Sequence, residues 1–178
     1  RRTVHLTAGI GDFGPLVDAV IETSARKFLT DGLPAAYRTT MTYGNWRSPY
    51  CPDPRLFRET LLRRVDEGCL FWVYMGHGQP DRLDRFEVAN QIVPILEPND
   101  VPRFQATHGM PIAILLACYS GAVDVPTECL AERLLRNPNG PIAVLAGSRV
   151  TLPYSMTLLG TSLMEGFFSS QVDGEPVT

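Results

Sequence analysis

A three-layer α/β/α sandwich around a mainly parallel sheet is the fold class predicted by three observations. Apolar stretches of strand length alternate with helix-length segments along the 178-residue chain. That order builds βαβ units, hence a parallel sheet with helices on both faces. Two of the stretches, Leu70–Met75 and Ile112–Ala117, carry no charge and are rich in aromatic, β-branched and aliphatic side chains, as strands buried on both faces are. Each runs into a reactive side chain: Gly76-His77-Gly78 follows the first and Cys118-Tyr119-Ser120-Gly121 the second.

The elements follow in order. Val4–Gly9 reads as a first strand, and Leu16–Leu29 as a helix, with Leu16, Val17, Val20, Ile21 and Phe28 at helical spacing. Tyr37–Tyr43 is Thr-rich and aromatic and fits a second strand. Gly44–Pro54 is a proline-rich loop. A helix follows over Leu56–Val65, started by Asp53-Pro54 and ended near Arg63, Arg64 and Gly68. Strand three ends at His77. Gln79–Met110 alternates charges (Asp81, Arg82, Asp84, Arg85, Glu87) with two short apolar pieces, Phe86–Val88 and Ile92–Leu96; it reads as a flexible charged loop followed by irregular elements. Strand four is Ile112–Ala117. Thr127 is the expected N-cap of a helix through Arg136, and Asn137-Pro138-Asn139-Gly140 stops it. Strand five is Ile142–Ala146, the loop Gly147–Tyr154 follows, and the last helix spans about Met156–Phe168.

Composition narrows the function classes. Hydrophobic content of 44% with 20% charge describes a globular chain, and its length suits a single domain, residues 1–178, or a fragment of a longer or processed protein. The net charge of −3 and the lack of any Lys/Arg-rich run argue against nucleic acid as the partner. No apolar stretch approaches the ~20 residues of a membrane span. Cys51, Cys69, Cys118 and Cys129 match no zinc spacing, so no zinc site is expected and no metal ligand is assigned. Three of them read as ordinary free thiols and one as special. That usage favours a reducing, cytoplasmic setting over a periplasmic or secreted one without deciding it.

The chemistry sits where this fold class keeps it, outside the carboxyl ends of parallel strands. A thiolate is the reactive form of cysteine, and an imidazole within reach can act as its proton acceptor and later protonate a leaving amine. Cys118 at a strand end, with Ser120-Gly121 turning the chain, exposes its sulfur to backbone N–H groups that stabilise a thiolate or an oxyanion. Glycines on both sides of His77 allow close approach of a substrate backbone.

His77-Gly78 after one buried strand and Ala117-Cys118-Tyr119-Ser120-Gly121 after the next resemble the catalytic signature of caspase-like (clan CD) cysteine peptidases. Gly76-His77-Gly78, Cys118-x-x-Gly121-x-x-Asp124 and Gly140-Pro141-Ile142-Ala143-Val144 with Ser148-Arg149 are most similar to the gingipain and CHAT-type branches. The resemblance covers about residues 70–168. It implies a caspase-like fold and a thiol endopeptidase acting on protein or peptide substrates, with no organic cofactor. His77 would be the general acid/base and Cys118 the nucleophile, with the amides of Gly78 and Cys118 as oxyanion hole. The S1 pocket would draw on Gly11-Asp12-Phe13, Leu116-Ala117 and Ser148-Arg149-Val150. Asp12 in that pocket favours a basic P1 residue and Arg149 an acidic one, with family usage leaning to basic. Control by cleavage within Gln79–Met110, or by a regulatory domain or partner protein, is a further expectation.

Two other readings compete. Gly9-Ile10-Gly11-Asp12-Phe13-Gly14 matches G-x-G-x-x-G between a strand and a helix, the context of a dinucleotide site. Against it, the second strand ends Thr42-Tyr43-Gly44-Asn45 without an acid for a ribose, and Asp12 would repel phosphate. Ser120 lies in Cys118-Tyr119-Ser120-Gly121-Ala122, which lacks the leading glycine of a serine nucleophile elbow. A catalytically inactive caspase-like binding module is a third possibility.

Overall fold

The computed structural model describes residues 2–11, 14, 18–19, 22–23, 33–45 and 48–169. Five parallel strands form one sheet: β1 (Thr3–Ala8), β2 (Arg38–Tyr43), β3 (Phe71–Met75), β6 (Ile112–Leu116) and β7 (Ala143–Ala146), in the order β2-β1-β3-β6-β7. Between β3 and β6 lie β4 (Arg85–Val88) and β5 (Gln91–Pro94), paired antiparallel in a separate two-stranded sheet. The helices are α1 (Phe57–Asp66), α2 (Leu130–Arg136) and α3 (Pro153–Ser169). Asp18, Ala19, Glu22 and Thr23 are also helical; the rest of the helix expected over Leu16–Leu29 lies outside the described residues.

Strand periodicity builds the layers. Side chains alternate across a strand, so Trp72, Tyr74, Ala113 and Leu115 face one side and Phe71, Val73, Ile114 and Leu116 the other. The first set packs on Phe57, Leu61, Leu62 and Val65 of α1 and on Leu130 and Leu134 of α2. The second, with Val4 and Leu6, packs on Met156, Met164 and Phe168 of α3. The predicted three-layer sandwich is therefore the observed one. On α3, Leu158, Leu163 and Phe167 are exposed, as are Ile142 and Leu145 at and just before β7, the edge strand of the sheet.

Three boundaries differ from expectation, each for a local reason. The segment 79–110 is not a flexible loop. Positive φ at Ala89 (49°) and Asn90 (63°) makes the two-residue turn that joins β4 to β5, the geometry that matches strand twist. Leu83 N–H to Leu96 O (2.9 Å) and Ile95 N–H to Asp84 O (2.7 Å) extend the pairing. Leu83, Phe86, Ile95 and Leu96 are buried in the α1-side core, and a 3₁₀ turn over Pro98–Arg103 completes the segment. α2 begins after Cys129 rather than at Thr127, because the Glu132 carboxylate accepts from Cys129 N–H at 2.8 Å and closes a capping box there. α3 begins at Pro153, whose fixed φ suits a first helical position.

A buried polar row crosses the α1-side face. Trp72 Nε1–H donates to Thr7 Oγ1 (3.2 Å), Thr7 lies 3.2 Å from His5 Nε2, and His5 Nδ1 lies 2.9 Å from Thr40 Oγ1. The indole can only donate, so the Thr7 hydroxyl oxygen accepts from it, and both His5 ring nitrogens face threonine hydroxyls. Burial first, and then the nearby Arg64 guanidinium, push the His5 imidazole down to about 3 from 6.5. The unfolded chain therefore binds a proton at this site that the folded chain refuses between those two values. The stability this site contributes is intact above pH 6.5 and is lost as pH falls towards 3. The expected loss over that window is roughly 4–5 kcal/mol. Urea unfolding midpoints followed from pH 7 to pH 4 should show this decline. His5→Gln, which cannot titrate, should flatten it, and equal slopes for the two proteins would refute the assignment.

Candidate active site

Register brings the two reactive residues to neighbouring strand exits. β3 pairs with β6 with Met75 opposite Leu116, so His77 and Cys118 each lie two residues beyond the last matched pair, on neighbouring strand exits. Contact continues past the strands: Gly76 N–H reaches Leu116 O at 3.4 Å, and a Cβ built on Gly78 would lie 2.7 Å from Cys118 O and 2.8 Å from Ala117 Cβ. Only a residue without a side chain lets the two turns approach this closely.

The imidazole is oriented from the β1 side. His77 Nε2 lies 2.9 Å from Gly11 O. A carbonyl only accepts, so Nε2 carries the proton there. The turn bearing His77 is held by Tyr74, whose hydroxyl donates to His77 O (2.9 Å) and accepts from Asp84 N–H (3.3 Å). The buried Asp84 carboxylate accepts from Ile10 N–H (3.2 Å) and Arg85 N–H (2.9 Å). Burial pushes this carboxyl up, while those two N–H groups and then the charge of His77 act against the shift. Burial also pushes the Tyr74 phenol well above its usual range, with the Asp84 charge adding to it.

Cys118 is half-buried, and the chain turns sharply just after it, with Tyr119 in the left-handed region at φ 55°. A tyrosine there is strained and held by its surroundings. The sulfur meets Thr151: Thr151 N–H donates to Sγ at 3.3 Å, and Thr151 Oγ1 and O lie 3.4 and 3.6 Å away. Cys69 is buried and pushed up to about 12 by that burial. Burial likewise raises Cys129, and raises Cys51 with the Asp53 charge adding to it.

The residues expected around S1 are distributed unevenly. Asp12 lies outside the described residues. Ala117 is buried, with its Cβ behind Gly78. Ser148 and Arg149 are exposed, and the Arg149 guanidinium forms a bidentate pair with Asp124 at 2.9 and 2.6 Å. The competing serine is removed from consideration by geometry: Ser120 is buried and its hydroxyl donates to Ala117 O at 3.4 Å. The glycine-rich turn is likewise occupied. Ile10 N–H, placed to meet a phosphate, is given to Asp84, and the Asp84 carboxylate fills the space over Gly9. Among the described residues no group of three or more His, Cys, Asp or Glu side chains converges to hold a metal ion, and no helix is long and apolar enough to cross a membrane. Gly11 is singled out by the glycine-rich turn and the S1 wall but not as the partner of His77, and Tyr74, Asp84 and Thr151 carry no motif, so only spatial proximity reveals these roles.

The carboxyl edge of this parallel α/β/α sheet thus presents an imidazole and a thiol on adjacent strand exits. The chain belongs to peptidase family C25, whose model matches residues 1–177. Its fold is similar to the crystal structure of the Arg-specific cysteine proteinase gingipain R (RgpB), with a TM-score of 0.62 and 14% identity over 96% of this chain and 38% of that one. It is also similar to a complex of the Porphyromonas gingivalis RgpB pro- and mature domains, with a TM-score of 0.59 and 15% identity over 93% of this chain and 36% of that one. The chain thus spans less than two fifths of the gingipain chains it matches. A search of curated protein sequences returns no match.

Proposed function

We propose that this chain is the catalytic domain, or most of it, of a cysteine endopeptidase in which Cys118 is the nucleophile and His77 the general acid/base. The observation that carries the reading is the shared register of the two residues beyond β3 and β6, with the imidazole aimed by Gly11 O. With Nε2 committed to that carbonyl, Nδ1 is the nitrogen that exchanges protons. It takes the thiol proton as sulfur attacks the scissile carbonyl carbon. The resulting oxyanion is met by the amides of Gly78 and Cys118, a reading supported by the close approach of these two turns. Collapse expels the amine, protonated by the imidazolium, and leaves a thioester on Cys118. Water, deprotonated by His77, hydrolyses the thioester and restores the thiol.

Basic P1 residues are the favoured substrates. Pairing with Asp124 offsets the charge of Arg149, which weakens the case for an acidic P1 and leaves Asp12 as the charged group proposed for the pocket. Control by a regulatory domain is part of the same reading, by analogy with the pro-domain seen bound to RgpB.

Peptidyl acyloxymethyl ketones with Arg, Lys, Asp or Leu at P1, followed by mass spectrometry of tryptic peptides, test this directly. The expected result is covalent mass on Cys118, strongest with Arg or Lys, while buried Cys69 and Cys129 stay unmodified. Equal labelling of all four thiols, or none on Cys118, would rule the reading out.

A further inference from the structure

After β7 the chain runs back along the turn that carries Cys118. Gly121 N–H donates to Gly147 O (3.0 Å) and Tyr119 N–H to Arg149 O (3.2 Å). The next contact in this ladder is Thr151 N–H to Cys118 Sγ at 3.3 Å, so the sulfur occupies a place where a backbone carbonyl would otherwise accept. The Thr151 hydroxyl, 3.4 Å from the same sulfur, adds a second donor. Its rotamer is supported on the other side. A Cβ on Gly147 would lie 2.9 Å from Thr151 Cγ2 and 2.5 Å from Ala117 O, so the threonine methyl rests over a glycine that has no room for a side chain. A β-branched residue is stiff about χ1, and locking its methyl locks its hydroxyl.

We propose that Thr151 is a further catalytic residue, whose amide and hydroxyl hold the Cys118 sulfur as a thiolate. The inference rests on Cys118 being the nucleophile. In the neutral state the thiol proton can lie towards Thr151 O or Oγ1, at 3.6 and 3.4 Å. Once the proton has left, the amide N–H and the hydroxyl O–H both donate to the negative sulfur with little movement of either group. Hydrogen bonds to the charged form favour that form and are the stronger kind, so the pair of donors raises the thiolate fraction and keeps the sulfur in one place.

The test is the pH dependence of Cys118 alkylation by iodoacetamide, read on the tryptic peptide by mass spectrometry. The thiolate forms the S–C bond as iodide leaves, so the rate follows the thiolate fraction and needs no peptide hydrolysis. Thr151→Val keeps shape and χ1 stiffness but loses the hydroxyl. It should move the inflection up by about half to one pH unit, which slows alkylation about threefold to tenfold on the acid side. Thr151→Ser, which keeps the hydroxyl but not the methyl that locks it, should reverse most of the shift. Parent, Val and Ser proteins with superimposable curves would overturn the proposal, as would a Ser variant that behaves like Val. If the Val protein unfolds early by circular dichroism, Thr151→Ala against Thr151→Ser gives the same contrast. The two readings also fail separately. An upward shift without ketone labelling or hydrolysis would leave Thr151 holding the thiol and dismiss the peptidase. Hydrolysis with no shift would dismiss Thr151 alone.

Discussion

Cys118→Ala is expected to lower kcat/KM on a fluorogenic peptide with Arg at P1 by about 10³-fold or more, and His77→Ala by about 10²- to 10⁴-fold. The first removes the atom that forms the acyl bond. The second leaves the thiol but removes both the acceptor of its proton and the donor to the departing amine. Because the two groups act in one step, their losses should not multiply: the double variant should be no slower than Cys118→Ala alone. Both residues sit beyond strand ends and His77 and Cys118 are only half-buried, so thermal unfolding should change little. Full activity in the Cys118→Ala protein would remove Cys118 from the mechanism whatever its position in the fold.

Gly78→Ala should be nearly as damaging, through geometry rather than chemistry. The added methyl would meet Cys118 O at 2.7 Å and Ala117 Cβ at 2.8 Å. Neither can step aside, since one is backbone and the other is buried next to the sheet. The turns must separate, carrying the imidazole away from the sulfur and opening the proposed oxyanion pocket. A misplacement of about 1 Å is enough to cost about 10²-fold in rate, while overpacking of this kind costs about 1–3 kcal/mol in stability. The measurement is kcat/KM alongside the urea midpoint. Gly166→Ala on α3 is the control, since its new Cβ meets nothing within 4 Å and alanine is the better helix former by about 1 kcal/mol. Equal activity of the two variants would show that the close approach at Gly78 does not matter for the reaction.

Much of this architecture was legible along the chain because it depends on short-range periodicity. Uncharged runs such as Phe71–Met75 and Ile112–Leu116 can only be stable with both faces covered, and the observed strands fall inside the predicted ones to within a residue or two. The hairpin over 85–94 was not legible. Its turn, Ala89-Asn90, lacks the Asn-Gly or Asp-Gly signal of a two-residue loop, and its charges, Arg85 and Glu87, point outward while Phe86 between them is buried. Alternation over four residues is too short a pattern to separate from a charged loop.

The reactive pair belongs to the first kind of information and its setting to the second. By itself the sequence determined a parallel α/β sandwich and placed one imidazole and one thiol at the ends of two buried strands, because strand burial and strand ends are written in consecutive residues. Tertiary structure alone decided what surrounds them. Gly11 O reaches His77 across 66 positions, the Asp84 carboxylate reaches Ile10 across 74, and Thr151 reaches the Cys118 sulfur across 33. Asp124 claims Arg149 across 25. Contacts of this range have no periodicity to announce them; they exist because parallel strands bring the loops at their carboxyl ends together in space, whatever their separation along the chain.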